Sequence, residues 1–331
     1  MNRAVIFLIL CGTVLTFANA VDSQELPPQN LVPQEENPAF TISRQVDEVN
    51  LVLSVTDSRG RFVNNLTADD LQLLDNHKPP ERWNYFQART DLPLRVVLAV
   101  DISSSVRDRF RFEQQAASSF LKRILRKETD EAAVVAFGDR VQEKTQGMTN
   151  DADQLNATIN ALQPGGETAL YDALVLASRK LREVRGKSIV RPVIILITDG
   201  EDTASKASLR NAEEAATRAE AVIFALDANV LWQKQPKGRI VLEKLTAATG
   251  GFVLPAREKS DLKSAFVTVE KVLRSQYALG YPPPELEANG SFRSIRITAR
   301  RRGLKVHARD GYYAPVANPG STERMAKPAV H

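Results

Sequence analysis

Asp101, Ser103 and Ser105 alternate in the string Asp101-Ile102-Ser103-Ser104-Ser105, directly after the apolar run Val96 to Val100. Thr168 closes a second string, Gly165-Gly166-Glu167-Thr168, and Asp199 stands in a third, Thr198-Asp199-Gly200-Glu201-Asp202, directly after the apolar run Val193 to Ile197. Hydroxyl and carboxylate oxygens are hard ligands, suited to octahedral Mg2+ or Mn2+, with Ca2+ as the larger alternative. Each string alone has a plainer use. Asp and Ser cap helices, a Thr after two glycines also caps, and Asp-Gly after a strand makes a turn. The three strings together, two at strand ends and one at a helix start, point instead to one shared oxygen-rich site. Glu167, Glu201 and Asp202 lie nearby and read as solvated loop residues.

The elements that must position these residues are legible in the periodicity. Between Leu94 and Leu273, apolar runs at Val96–Val100, Ala132–Phe137, Val193–Ile197 and Ala221–Leu226 alternate with amphipathic segments. Uninterrupted apolar runs are strands covered on both faces, and their alternation with helices predicts a mainly parallel, doubly wound α/β sheet. Phe110, Ala117, Phe120, Leu121 and Ile124 fall at helical spacing, as do Leu170, Ala173, Leu174, Ala177 and Leu181. Further helices fit Leu209–Ala219, Ile240–Ala248 and Leu262–Leu273, with one more strand at Gly251–Leu254. In such a sheet ligands bind beyond the carboxyl ends of the strands, and all three strings open there.

On these residues, Leu94 to Leu273 resembles a von Willebrand factor type A domain, and Asp101, Ser103, Ser105, Thr168 and Asp199 match that family's metal-ion-dependent adhesion site (MIDAS) position by position. The resemblance implies that the serines and the threonine ligate a divalent cation directly and that the aspartates act largely through water. It also implies capture of an acidic residue from a partner protein. The flanks, including Gly311-Tyr312-Tyr313, are similar to exported bacterial relatives of this domain.

Either side of the central region the pattern changes to alternation: Val49, Leu51, Leu53 and Val55 before it, with short strands at Leu71–Leu74 and Trp83–Phe86, and Tyr277–Tyr281, Ile295–Ala299 and Leu304–Ala308 after it. Each flank is too small to bury a core alone, so the two are expected to pair into one small β-sandwich-like module. The expected organisation is therefore residues 1–20 a signal peptide, 21–45 a flexible linker, 46–91 the first part of the β module, 92–275 the type A domain, 276–316 the second part of the β module, and 317–331 a disordered tail.

The signal peptide rests on Arg3, the apolar run Ala4 to Phe17 and the small-x-small triplet Ala18-Asn19-Ala20. It predicts an exported protein, periplasmic or secreted. Cys11 is the sole cysteine and falls inside that run, so the mature chain has no disulfide, cysteine nucleophile or thiolate metal site. A net charge of +4 gives no case for nucleic acid. Arg293, Arg296, Arg300, Arg301, Arg302, Lys305 and Arg309 crowd near the carboxyl end, which reads as a solvated face or charged sheet edge, with weak contact to an anionic envelope surface as the alternative.

The three histidines, His77, His307 and His331, lie outside the central region, which leaves the site no imidazole base. An aspartyl-phosphate enzyme calls for a second Asp where Ser103 stands. The reading is therefore a binding module and not an enzyme; the competing readings are a secreted metal-dependent hydrolase or phosphotransferase, and an envelope scaffold in which the metal only stabilises.

Overall fold

The computed structural model describes residues 48–88, 92–184, 190–228, 237–285 and 287–316. The expected signal peptide, linker and carboxyl-terminal tail lie outside the described residues.

The centre is a six-stranded sheet. Strand β4 (Leu94–Asp101) lies between β5 (Glu131–Phe137) and β7 (Arg191–Thr198); β8 (Val222–Asp227) and β9 (Phe252–Pro255) continue on one side, and β6 (Val141–Glu143) closes the other. All neighbours are parallel except β6, which runs antiparallel to β5. The uninterrupted apolar runs have their expected cause, since β4 buries both faces. Val96, Leu98 and Val100 meet the helices α1 (Phe110–Ile124), α2 (Ala152–Asn160) and α6 (Lys259–Arg274), while Val97 and Ala99 meet α3 (Leu170–Glu183), α4 (Leu209–Arg218) and α5 (Lys237–Thr249).

This winding fixes where a ligand can enter. The chain leaves β4 for one face through α1 and leaves β7 for the other through α4, so the two connections diverge and open a crevice at the carboxyl ends of these neighbouring strands. Two elements escaped the periodicity. Helix α2 is short and its apolar contact rests on Leu155 and Ile159 alone; its sequence signal is Asp151, whose carboxylate accepts the N–H groups of Asp153 and Gln154. Strand β6 buries almost nothing.

The flanks form a β module shared between the two chain segments. In a four-stranded sheet, β1 (Val49–Thr56) lies between β12 (Lys305–His307) and β10 (Tyr277–Tyr281), and β3 (Tyr85–Ala88) pairs with the far side of β10. In a three-stranded sheet, β11 (Phe292–Ala299) lies between β2 (Leu71–Asp75) and β13 (Gly311–Tyr313). Both sheets of the module therefore join a strand before the central domain to one after it, with Leu51 opposite Leu279 and Leu73 opposite Ile297. The shared core holds Leu51, Leu53, Val55, Leu71, Leu73, Tyr277, Leu279, Tyr281 and Ile295. Its tyrosine hydroxyls are satisfied internally: Tyr277 donates to Val63 O at 3.0 Å and accepts from Leu66 N at 3.0 Å, and Tyr281 and Tyr312 both donate to Asp75 Oδ2, at 3.1 and 2.8 Å.

The basic carboxyl-terminal residues divide into two sets. Arg296, Arg300, Arg301, Arg302 and Lys305 are exposed, in keeping with a solvated face. Arg293 and Arg309 are buried and structural, a correction to the reading of the seven as one face. Arg293 donates to the carbonyls of Glu285 and Glu287, while Arg309 reaches Asn50 O at 2.8 Å and Glu220 at 3.3 Å.

The module is tied to the end of the central sheet away from the carboxyl ends of β4 and β7. Asp310 N donates to Ala248 O at 3.0 Å, the Arg218 guanidinium lies 3.8 Å from the Tyr313 ring centroid, and the His307 ring sits 4.4 Å from that of Phe252. His307 is half-buried there, with Nε2 3.1 Å from Thr56 Oγ1, and burial with Lys305 nearby pushes its pKa down from 6.5 to about 4. Between those two values the unfolded chain binds a proton that the folded chain refuses. The contribution is thus intact above the ordinary histidine pKa and lost as pH falls toward the folded value. Urea denaturation should show the wild type losing on the order of 2 kcal/mol relative to His307→Gln between about pH 7 and pH 4, a figure discounted for partial exposure. Parallel pH profiles for the two proteins would contradict it.

Candidate metal centre

Asp101 is the last residue of β4 and is fully shielded from solvent. Both its oxygens are engaged: Oδ1 accepts the Ser103 N–H at 2.8 Å and Oδ2 accepts the Thr198 hydroxyl at 2.7 Å. Burial pushes its carboxyl up to about 6, against these hydrogen bonds, and the neighbouring charge of Asp199 adds to the rise. Thr198 ends β7, so a single carboxylate pins the ends of two adjacent strands together.

From Asp101 a chain of polar atoms runs outward. Ser103 Oγ lies 3.0 Å from Ser105 Oγ, and the Ser105 hydroxyl is 3.4 Å from Asp199 Oδ2. Ser103 is buried, Asp199 half-buried and Ser105 exposed, so the chain leads from the sheet interior to its open edge. The turn after β7 is held by backbone donors, with Gly200 N to Thr198 Oγ1 at 3.1 Å and Glu201 N to Asp199 Oδ1 at 3.1 Å.

Thr168 joins through its loop. Ser104 N donates to Gly166 O at 3.0 Å and Gly166 N donates to Ser104 Oγ at 3.1 Å, which stitches the second string to the first. Thr168 N donates to Thr203 Oγ1 at 3.0 Å, and Thr168 O accepts from Thr203 N at 2.9 Å, which stitches it to the third. The structure thus links Asp101, Ser103, Ser105 and Asp199 into one polar run and brings Thr168 alongside by backbone contacts.

Thr198, Thr203 and Ser104 were not legible as parts of the site, because a hydroxyl that holds a loop looks like any other loop hydroxyl. Asp202, read from sequence as a solvated neighbour, has its Oδ1 accept the Tyr171 N–H at 3.2 Å, at the amino end of α3. Glu167 and Glu201 are exposed as expected.

The donors fit a hard divalent cation. Among the described residues no group of three or more Asp, Glu, His or Cys side chains is placed to hold a metal. Coordination here would rest on the hydroxyls of Ser103, Ser105 and Thr168, with the carboxylates of Asp101 and Asp199 close behind.

The glycines of the loops are not equivalent. Gly166 has φ +93° and a Cβ there would collide with the Asp139 carboxylate, whereas a Cβ on Gly165 meets nothing within 4 Å. Of this pair only Gly166 permits a close approach that a side chain would block. Gly200 has φ +83°, and a Cβ there would collide with Gly238 O and lie 2.7 Å from Leu242 Cγ of α5.

The fold is a doubly wound α/β sheet with a run of polar atoms at its switch point. Residues 96–201 match the family model of the von Willebrand factor type A domain, and the chain carries such a domain. No curated protein sequence matches the chain. Solved structures similar to it include the PilB minor pilin from Streptococcus sanguinis, at 14% identity and TM-score 0.45, covering 60% of this chain and 63% of that one. Another is a von Willebrand factor type A protein from Catenulispora acidiphila, at 14% identity and TM-score 0.48, covering 84% and 76%. A third is proximal thread matrix protein 1 from the mussel byssus with a zinc-occupied MIDAS motif, at 18% identity and TM-score 0.48, covering 60% and 50%. The chain thus spans less than two thirds of the pilin and half of the mussel protein.

The glycine geometry yields a test. Gly200→Ala should destabilise the protein by about 2 kcal/mol and weaken Mn2+ binding, because relief of the clash moves the Asp199 turn. Gly165→Ala should stay within about 0.5 kcal/mol of wild type. Thermal melts and Mn2+ calorimetry that rank the two variants equally would contradict the assignment.

Proposed function

We propose that this protein is an exported binding module in which Asp101, Ser103, Ser105, Thr168 and Asp199 hold a divalent cation that captures a carboxylate of a partner protein. The observation that carries the reading is the run of polar atoms from buried Asp101 through Ser103 and Ser105 to Asp199, ending at the solvent-open edge of the sheet. When bound, the cation supplies an open coordination position with uncompensated positive charge.

The protein's own groups divide the remaining work. Asp101 orients the Ser103 turn and Thr198; Asp199 orients Ser105; the exposed Ser105 marks the mouth where the partner arrives. Mg2+ fits the small, hydroxyl-rich shell, with Mn2+ and Ca2+ as alternatives. His77 and His307 both stand in the β module, so the described histidines offer the site no general base, and a hydrolase or phosphotransferase is the weaker reading. Export rests on the pattern of residues 1–20. No helix among the described residues is long and apolar enough to cross a membrane.

The reading is tested by affinity capture from an extract of the cell envelope, in Mg2+, in chelator, and with Asp101→Ala in Mg2+. The expected result is a partner kept only in the first arm, while Ser119→Ala, on the exposed side of α1, captures as wild type. A partner retained equally in all three arms would move the binding surface away from this site. The sheet should remain folded in chelator, with a melting temperature only a few degrees lower, because its core is apolar. Loss of the far-ultraviolet circular dichroism signal would instead favour a metal that serves as a structural clip.

A further inference from the structure

The buried stripe of α1 runs Phe110, Glu113, Ala117, Phe120, Leu121 and Ile124, and one member of it is a carboxylate. Glu113 is 1% exposed. A glutamate at a core position of an amphipathic helix costs stability unless its charge has a use or is fully paired.

It is only partly paired. Its Oε1 accepts from Arg109 Nε at 2.9 Å, and Arg109 Nη1 in turn donates to Ala228 O at 2.8 Å, just past the end of β8. Glu113 Oε2 and Arg109 Nη2 are buried and have no hydrogen-bond partner among the described residues. Burial, with the negative charges of Asp101 and Asp199 adding to it, raises the Glu113 carboxyl to about 7 despite Arg109. Geometry ties this pair to the candidate site: Ala228, whose carbonyl Arg109 holds, donates its N–H to Thr198 O at 3.0 Å, and Thr198 donates its hydroxyl to Asp101 Oδ2 at 2.7 Å. Three acids and one guanidinium leave an anionic surplus in a low-dielectric region, which a divalent cation at the serines would offset.

We infer that Glu113 is a third anionic charge of the cation site, acting through space from beneath it and raising its affinity without being a ligand. The inference rests on the metal-binding reading given above. Arg109 fixes the position of Glu113 and ties both to the end of β8. The inward placement of Glu113 also separates its role from partner recognition, because a residue this buried touches no partner.

Charge and packing roles are separable because a Coulombic effect grows with the charge of the ion, whereas a packing defect does not distinguish ions. The full chain, stripped with chelator and dialysed, would be titrated calorimetrically at pH 8 with Mn2+ and with Tb3+, as wild type, Glu113→Gln and Glu113→Asp. Glu113→Gln should weaken Mn2+ by about tenfold and Tb3+ by about thirtyfold. Glu113→Asp, which keeps the charge, should recover most of the affinity for both ions. The metal-free Glu113→Gln protein should melt somewhat lower than wild type, since it leaves the Arg109 charge without its partner, whereas Glu113→Asp keeps that pair. Unchanged affinity in Glu113→Gln, or an equal loss for both ions, would overturn the inference while leaving the metal-binding reading in place. A wild type that binds neither ion would overturn both.

Discussion

The structure depends on one carboxylate placed where water cannot reach it. Asp101 ends the central strand, and its two oxygens are committed to the Ser103 backbone and the Thr198 hydroxyl. The first bond shapes the turn that presents Ser103 and Ser105; the second locks that turn to the end of the adjacent strand. Desolvation opposes the charge that these bonds favour, and the balance leaves the carboxyl raised to about 6. An acid held in this way gains from a nearby cation, which removes the mismatch between its charge and its surroundings. The sheet makes such a placement tolerable, because apolar packing on both faces of β4 fixes the backbone whatever the side chain at its end requires.

At the opposite end of the sheet a different problem is solved. A domain entered through β4 and left through α6 has both connections at the amino ends of its strands, so the flanking segments emerge close together. Neither could bury its apolar face alone. Pairing β1 with β10 and β2 with β11 lets the two segments share one core, and Arg309 and Asp310 then bind that core to α5 and to the residues before β8. The buried tyrosines near Asp75 serve the same end. Directional bonds to a single carboxylate oxygen specify how the sheets meet, beyond what apolar contact alone would define.

What the sequence made legible follows from how strongly each element buries apolar surface. The strands at Val96–Val100, Val193–Ile197 and Ala221–Leu226 lie fully inside, so their composition announces them, and the broad helices α1, α3 and α6 declare their inner faces. Strand β6 and helix α2 touch the core too little to leave a periodic trace. At the site, Asp101, Ser103, Ser105 and Asp199 stand out only through the co-occurrence of three strings, each of which alone reads as an ordinary cap or turn. Thr203 and Ser104 act through single hydrogen bonds to backbone, and Gly166 acts through the space it leaves free; none of these uses has a composition signature. Glu113 stood in plain view as a charge inside an apolar stripe. Only its distance from solvent and its coupling to Asp101 and Asp199 distinguish it from an ordinary surface glutamate one turn into a helix.

The carboxyl ends of the strands must remain open if anything is to bind there, and this sets how order can be supplied at that edge. Apolar packing would seal it. Order comes instead from short-range polar bonds and from steric fit: Ser104 to Gly166, Thr168 to Thr203, and Gly200 seated against Gly238 with no room for a side chain. Beside these, Arg239 pairs with the buried Asp227 at 2.8 Å and Arg109 reaches Ala228 O, so the end of β8 is held by two guanidinium groups. Such buried pairs add little net stability, because desolvation offsets most of their attraction. What they add is geometry. Each loop bearing a candidate ligand is held by bonds that are lost if the loop moves by an ångström or two, so the oxygens can keep one arrangement at an edge that is never closed.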